Sequence, residues 1–162
     1  MSSTPLADVI RQCRAAGNYD RLVEAIPYAR FIGMRCEVEA DGSLLFRLPA
    51  KQENIGNPTL PALHGGAIGG FMEHSALVYL LATMDQPRMP KTIDLSIDYL
   101  RAGHYRDCWA SCTVTRQGRR VANVTISCWQ DDRAAPITHA RAHFLLADPD
   151  AAAVDVATPR TD

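Results

Sequence analysis

His64, Gly65 and Gly66, with Glu73 nine residues beyond His64, are the residues whose types and spacing could do chemistry. Two glycines where a loop enters a helix leave the N–H groups of the first turn without side-chain cover. The dipole and unpaired donors at such an end attract negative charge, so a carbonyl oxygen turning anionic could be held there, with Gly65 as the foremost donor. Glu73 is the one acidic residue in an apolar run, and a carboxylate in that setting needs a partner, a ligand or water. Its helix-surface neighbours at minus four and minus three are Gly69 and Gly70, which predicts bare backbone beside it, open to a substrate. Nine helical residues turn through about 900° and rise about 13 Å, so His64 and Glu73 face nearly opposite ways. One chain cannot easily offer both to one bound molecule. If both act, the carboxylate meets the donor of a second chain, which predicts a two-fold dimer with two sites at its interface.

A helix must carry these groups, and residues 65–84 supply it. Apolar residues from Ala67 to Leu81 lie nearly all round its axis, the pattern of a buried helix. Two short helices are expected before it: 3–16, capped by Thr4 with Pro5 in its first turn and ended by Gly17, and 20–26, stopped by Pro27. From Tyr28 the period changes, and Ile32, Met34, Cys36 and Val38 alternate with polar positions as in a strand with one buried face. Asp41-Gly42 turns that strand into a second, carrying Leu44, Phe46 and Leu48. Residues 49–63, with three prolines, read as an irregular loop of a length that is usually functional.

After a turn at 87–90, strands are expected over 91–101, 107–116, 120–130 and 137–146. Ile93, Leu95, Ile97 and Tyr99 share one face of the first. In the last, Thr138, Ala140, Ala142, Phe144 and Leu146 oppose His139, Arg141 and His143. The architecture is α+β, an antiparallel sheet wrapped around one long helix. It divides into a helical extension over 1–27, a main domain over 28–147 and a disordered tail over 148–162.

Charge narrows the partners. Lys and Arg number 17 against 18 Asp and Glu, a formal net charge of -1 over 162 residues, which gives no general hold on nucleic acid or on an anionic membrane. The apolar stretch over 67–83 is broken by Glu73 and His74 and falls short of a span. The five cysteines are odd in number, form no CxxC pair and follow no signal peptide, so a reducing cytoplasm is expected. Cys108 and Cys112 alternate with polar residues and are expected in the core rather than as nucleophiles.

The HGGxxxxxxE segment resembles the hotdog-fold acyl-CoA thioesterases, in the group related to phenylacetyl-CoA and 4-hydroxybenzoyl-CoA thioesterases. The likeness continues through KTIDLSIDYLRAG, TRQGRRVANVTISCW and ITHARAHFLL, covering roughly residues 28–147. It implies that Gly65 N–H polarises the thioester carbonyl and that Glu73 of a partner chain is nucleophile or general base. It implies further that Thr92, opening the next long strand, orients water, and that Asn57 stands close to the thioester. Asn57 departs by about one residue from the family's spacing, and Pro61 replaces a usual glycine. Hotdog dimers commonly pair again, so a homodimer or a dimer of dimers is implied, with coenzyme A as part of the substrate and no other cofactor.

Each of these residues has a plainer reading. His64 and its glycines could form a helix-entry turn and nothing more, Glu73 could be held by an Arg or by His74, and Gly69 with Gly70 could serve close packing. Arg101, Arg116, Arg119 and Arg120 suit the phosphates of coenzyme A, although a solvated turn explains them equally. His139 and His143 could share a metal with Asp94 or Asp98, but nothing else in the sequence supports one, and none is expected. The competing functions are an acyl-thioester hydratase or dehydratase and a non-catalytic acyl-CoA-binding hotdog protein.

Overall fold

A computed structural model of the chain describes residues 6–86 and 88–146. Thr4, Pro5 and the tail from 148 lie outside the described residues. Helix α1 (Leu6–Ala16) turns its apolar stripe inward through Ile10 and Cys13, and α2 (Asp20–Glu24) buries Leu22 and Val23. These four join the same core as the sheet, so the N-terminal helices pack as part of the main body.

Pro27 does not only stop a helix; it starts one. Helix α3 (Pro27–Ile32) takes Pro27 in its first turn, where the missing N–H costs nothing. It ends at Gly33, whose left-handed φ of 78° lets Met34 N–H return to Ala29 O at 2.9 Å. The alternation expected from Ile32 therefore becomes a strand only at β1 (Arg35–Val38). Asp41-Gly42 makes the expected hairpin, with Gly42 at φ 84°, into β2 (Leu44–Leu48).

The loop over 49–63 is more ordered than its prolines and glycine suggest. One 3-10 turn (Gln52–Asn54) leads into a small hairpin of β3 (Ile55–Asn57) and β4 (Ala62–Leu63), pieces too short to show a period. Helix α4 (Gly65–Thr83) follows as expected, and then β5 (Pro90–Tyr99), β6 (Cys108–Gln117), β7 (Val121–Trp129) and β8 (Thr138–Leu146). The main sheet runs β1-β2-β6-β7-β8-β5, antiparallel throughout, with β5 at one edge.

α4 lies against the inner face of this sheet. Ala110, Ala122, Ala140 and Ala142 are almost fully buried on that face, and their small side chains leave room for the helix. Phe46, Phe71 and Phe144 fill the remaining space, each fully buried and each stabilising the fold by about 1.5–3 kcal/mol. The single alternating face expected for β5 is broken by a register shift between Thr92 and Asp94. Thr92 pairs with buried Phe144 and so shares the inner face, whereas Leu95, Ile97 and Tyr99 regain that face beyond the bulge through Ala142, Ala140 and Thr138. Ile93 is left 58% exposed.

No helix among the described residues is long and apolar enough to cross a membrane. At the far end of α4 the last carbonyls would be unpaired but for Arg14 of α1. Its guanidinium donates to Ala82 O at 2.8 Å and also to the carbonyls of Leu81 and Met84. A cation at this end also meets the negative pole of the helix. Arg14→Met, which keeps the aliphatic stem, should lower unfolding free energy by about 1–2 kcal/mol in a denaturant titration. An unchanged midpoint would mean that the three carbonyls are satisfied without it.

Candidate active site

The first turn of α4 is a nearly closed account of hydrogen bonds. His64 is the N-cap in an extended conformation, and its Nδ1 accepts from Gly66 N–H at 2.9 Å, which places the ring proton on Nε2. His64 O accepts from Ala67 and Ile68 N–H at 2.9 and 3.1 Å, and His64 N–H donates to Asn54 O at 2.8 Å. Tyr99 Oη donates to Gly65 O at 2.6 Å. Gly65 N–H alone in this turn has no hydrogen-bond partner among the described residues. Gly66, expected as a second bare donor, is spent on the imidazole. His64 acts in this geometry as the cap that isolates Gly65.

The bare patch expected at Gly69 and Gly70 is filled. A Cβ on Gly69 would stand 2.9 Å from Ile97 Cδ1, and one on Gly70 would stand 2.5 Å from Tyr28 Cε1. Both glycines therefore serve close packing and leave no room there for a substrate. What they create is a trough. Taking Gly65 as reference, about 100° per residue puts Gly69 at about 40°, Glu73 at about 80° and Gly70 at about 140° around the axis. Glu73 thus lies between a wall built by β5 and a wall built by α3.

Glu73 is half-buried and has no ion-pair or hydrogen-bond partner among the described residues. His74, the neighbour that could have held it, donates from Nδ1 to Gly70 O at 2.7 Å and stacks on Tyr28 with ring centroids 5.5 Å apart. Tyr28 continues into Phe31 at 6.1 Å, an aromatic wall beside the carboxylate. The unbroken helix keeps Gly65 and Glu73 apart by about 12 Å along its axis.

The other candidates are placed less centrally. Asn57 is exposed, and its Oδ1 closes a turn by accepting from Thr59 and Leu60 N–H at 3.0 and 3.1 Å. Contacts of Gly65 with Tyr99 and Gly69 with Ile97 show β5 running antiparallel to α4. Glu73 is then level with about Leu95, and Thr92 sits roughly 10 Å further along the strand. Arg101, near the Gly65 end, donates to Pro136 O at 2.6 Å. Arg119 and Arg120 occupy the β6–β7 turn at the other end of the sheet, where Arg88 donates to Arg119 O and Leu146 N–H to Arg120 O. One chain therefore does not bring these two arginines to Gly65. Among the described residues no group of three metal-capable side chains converges.

Three participants escape a reading of the sequence. Tyr99 looks like one more alternating strand residue. Asn54 is 1% exposed; its Nδ2 donates to Ile32 O at 2.9 Å while its carbonyl holds His64 N–H, so one residue ties the aromatic wall of α3 to the entry of α4. Gly56 brings β3 against that entry, for a Cβ there would stand 2.6 Å from His64 Cα. The only sequence sign of the last two was a loop too long for a plain connection.

Comparison with known proteins bears on the family and the fold. The profile of the thioesterase superfamily matches residues 60–137, which hold Gly65, Glu73 and Tyr99. A protein from Chromobacterium violaceum is 42% identical with a TM-score of 0.70, over 86% of this chain and 97% of its own. Two more distant structures share the fold. One is a Bacillus halodurans protein solved with CoA, at 18% identity and TM-score 0.70 over 88% of this chain and 91% of its own. The other is a phenylacetic acid degradation-related protein from Ralstonia eutropha, at 22% and 0.65 over 78% and 98%. No curated protein matches the sequence.

Two outcomes follow for the site. Gly56→Ala should cost about 1–3 kcal/mol of stability, because a backbone atom rather than a flexible side chain must give way; a neutral effect in thermal unfolding would show that β3 does not press on His64. The thiols should be inert. All five cysteines are buried and free, burial pushes Cys36 up to about 12 and also raises Cys112, and a hydrogen bond with the Cys108 thiol and then burial raise Cys128. At about pH 8 those three remain protonated, so a thiol reagent should label the native protein far more slowly than the denatured one. Rapid labelling of native protein would overturn this.

Proposed function

The chain belongs to the thioesterase superfamily, and from that premise we propose that it hydrolyses an acyl- or aryl-CoA thioester to the free acid and CoA. The observation that carries the proposal is the single unspent donor, Gly65 N–H, at the N-terminus of the helix that also presents an unpartnered Glu73. The thioester carbonyl accepts from Gly65, and the negative charge that develops on its oxygen meets both the N–H and the positive end of the helix dipole. The carboxylate is supplied by Glu73 of a second copy. It either attacks the carbonyl carbon, releasing CoA thiolate and leaving an anhydride for water to cleave, or takes a proton from the water that attacks.

The two-chain site fits the unpartnered surfaces. β5 is an edge strand whose outer backbone groups are free to pair with a copy of itself. Ile93 and Tyr99 of β5, Leu100 just after it, and Tyr28 and Phe31 of α3 expose large apolar area in the isolated chain. A homodimer across this face, itself able to pair into a tetramer, covers that area and brings each Glu73 toward the other copy's Gly65. The Bacillus halodurans relative solved with CoA supports a CoA-bearing substrate. The basic turn at Arg119 and Arg120, remote from Gly65 within a chain, would reach a phosphate only through the assembly. A reducing cytoplasm suits the five free thiols.

The test is an acyl-CoA panel of short, long and aromatic thioesters on wild type and Glu73→Ala. Wild type should turn over at least one class, and the variant should lose about a hundredfold or more in kcat while remaining folded and dimeric. Equal activity in the variant would remove Glu73 from the mechanism. Acyl-CoA binding with no turnover by wild type would favour a binding protein, and hydration of enoyl-CoA would favour the hydratase.

A further inference from the structure

We propose that Tyr99 is a positioning residue for the oxyanion donor: its hydroxyl fixes the first turn of α4 so that Gly65 N–H keeps its aim at the substrate carbonyl. The inference rests on the thioesterase function proposed above. Tyr99 Oη donates to Gly65 O at 2.6 Å, and its ring atoms and hydroxyl lie 3.4 Å from where a Gly65 Cβ would stand. The hydroxyl is also 3.4 Å from the corresponding point on Gly69. The phenol thus sits across the first turn and grips both ends of it.

Gly65 is the residue least able to hold its own orientation, because glycine has the widest backbone freedom and no side chain to pack. Its two flanking peptide groups are held by different partners. In front, His64 O accepts from Ala67 and Ile68 N–H, and behind, Gly66 N–H is taken by the His64 ring. The Gly65 carbonyl accepts from Tyr99, the one side chain that reaches the donor residue itself. Tyr99 is the last residue of β5, the strand that flanks the Glu73 trough through Ile97. One strand therefore sets both the wall beside the carboxylate and the attitude of the donor.

A hydroxyl recruited only for stability would be an odd choice here. Tyr99 is 53% exposed in the isolated chain, and a phenylalanine would keep the ring contacts while losing only the bond to Gly65 O. Burial of the ring nonetheless raises the phenol above its ordinary value, which keeps it a proton donor.

The experiment compares Tyr99→Phe with Tyr99→Ala and wild type in steady-state kinetics on the best thioester and in hydrogen exchange of the amides of Gly66, Ala67 and Ile68. Removing only the hydroxyl should lower kcat about tenfold or more with KM within about twofold, because a misaimed donor weakens transition-state binding first. Exchange at the three amides should quicken several-fold with the melting temperature unchanged. A Tyr99→Phe enzyme with wild-type kcat and wild-type exchange overturns the proposal, even if Tyr99→Ala is impaired, since ring packing alone would then suffice. If wild type hydrolyses no thioester, the thioesterase function fails while the exchange comparison still decides whether Tyr99 fixes the turn.

Discussion

A straight α-helix cannot bring its first turn and its third to the same carbonyl group, and the rest of the site is shaped by that rigidity. Gly65 and Glu73 share α4, and its rise keeps them about 12 Å apart. The helix cannot bend to close the gap, because its buried side packs against five strands and its far end is clamped by Arg14. Chemistry that needs a donor and a carboxylate within reach of one carbonyl must take them from two chains. In the proposed dimer, completeness of the site is a property of the assembly, and dissociation would remove both sites together.

Once the helix is fixed, what remains adjustable is what surrounds its two reactive turns. At the entry, capping by His64 and anchoring by Asn54 and Tyr99 spend the neighbouring polar groups and leave one donor free. At the third turn, Gly69 and Gly70 let Ile97 and Tyr28 approach to van der Waals distance on either side of Glu73. The same residue type therefore works in opposite senses within one helix. Gly65 exposes backbone, whereas Gly69 and Gly70 let other elements cover it.

The sequence showed most clearly what depends on local period. The apolar circumference of α4, the Asp41-Gly42 hairpin and the alternating β6, β7 and β8 follow from spacing alone. Pro27 misled because the same ring that forbids a helix interior favours a helix start. The bulge between Thr92 and Asp94 is invisible in a strand whose apolar residues keep a period of two straight through it. Gly56, Asn54 and Tyr99 gain their meaning from elements eight to thirty-four residues away in the chain, and no single-sequence pattern carries contacts of that kind.

The weak overall charge acquires a role in this arrangement. A face that must meet its own copy places every charge opposite the same charge set, so a strongly charged chain would repel itself there. With a net charge of -1, and with Ile93, Tyr99, Leu100, Tyr28 and Phe31 exposing large apolar side chains, the chain suits the dimer proposed above, whose association apolar burial would drive. That burial would also remove water from around Glu73. In such drier surroundings an oxyanion at Gly65 would gain more from each donor than it would in water. In the proposed dimer, the contact that would complete the site would therefore also make its donor more effective.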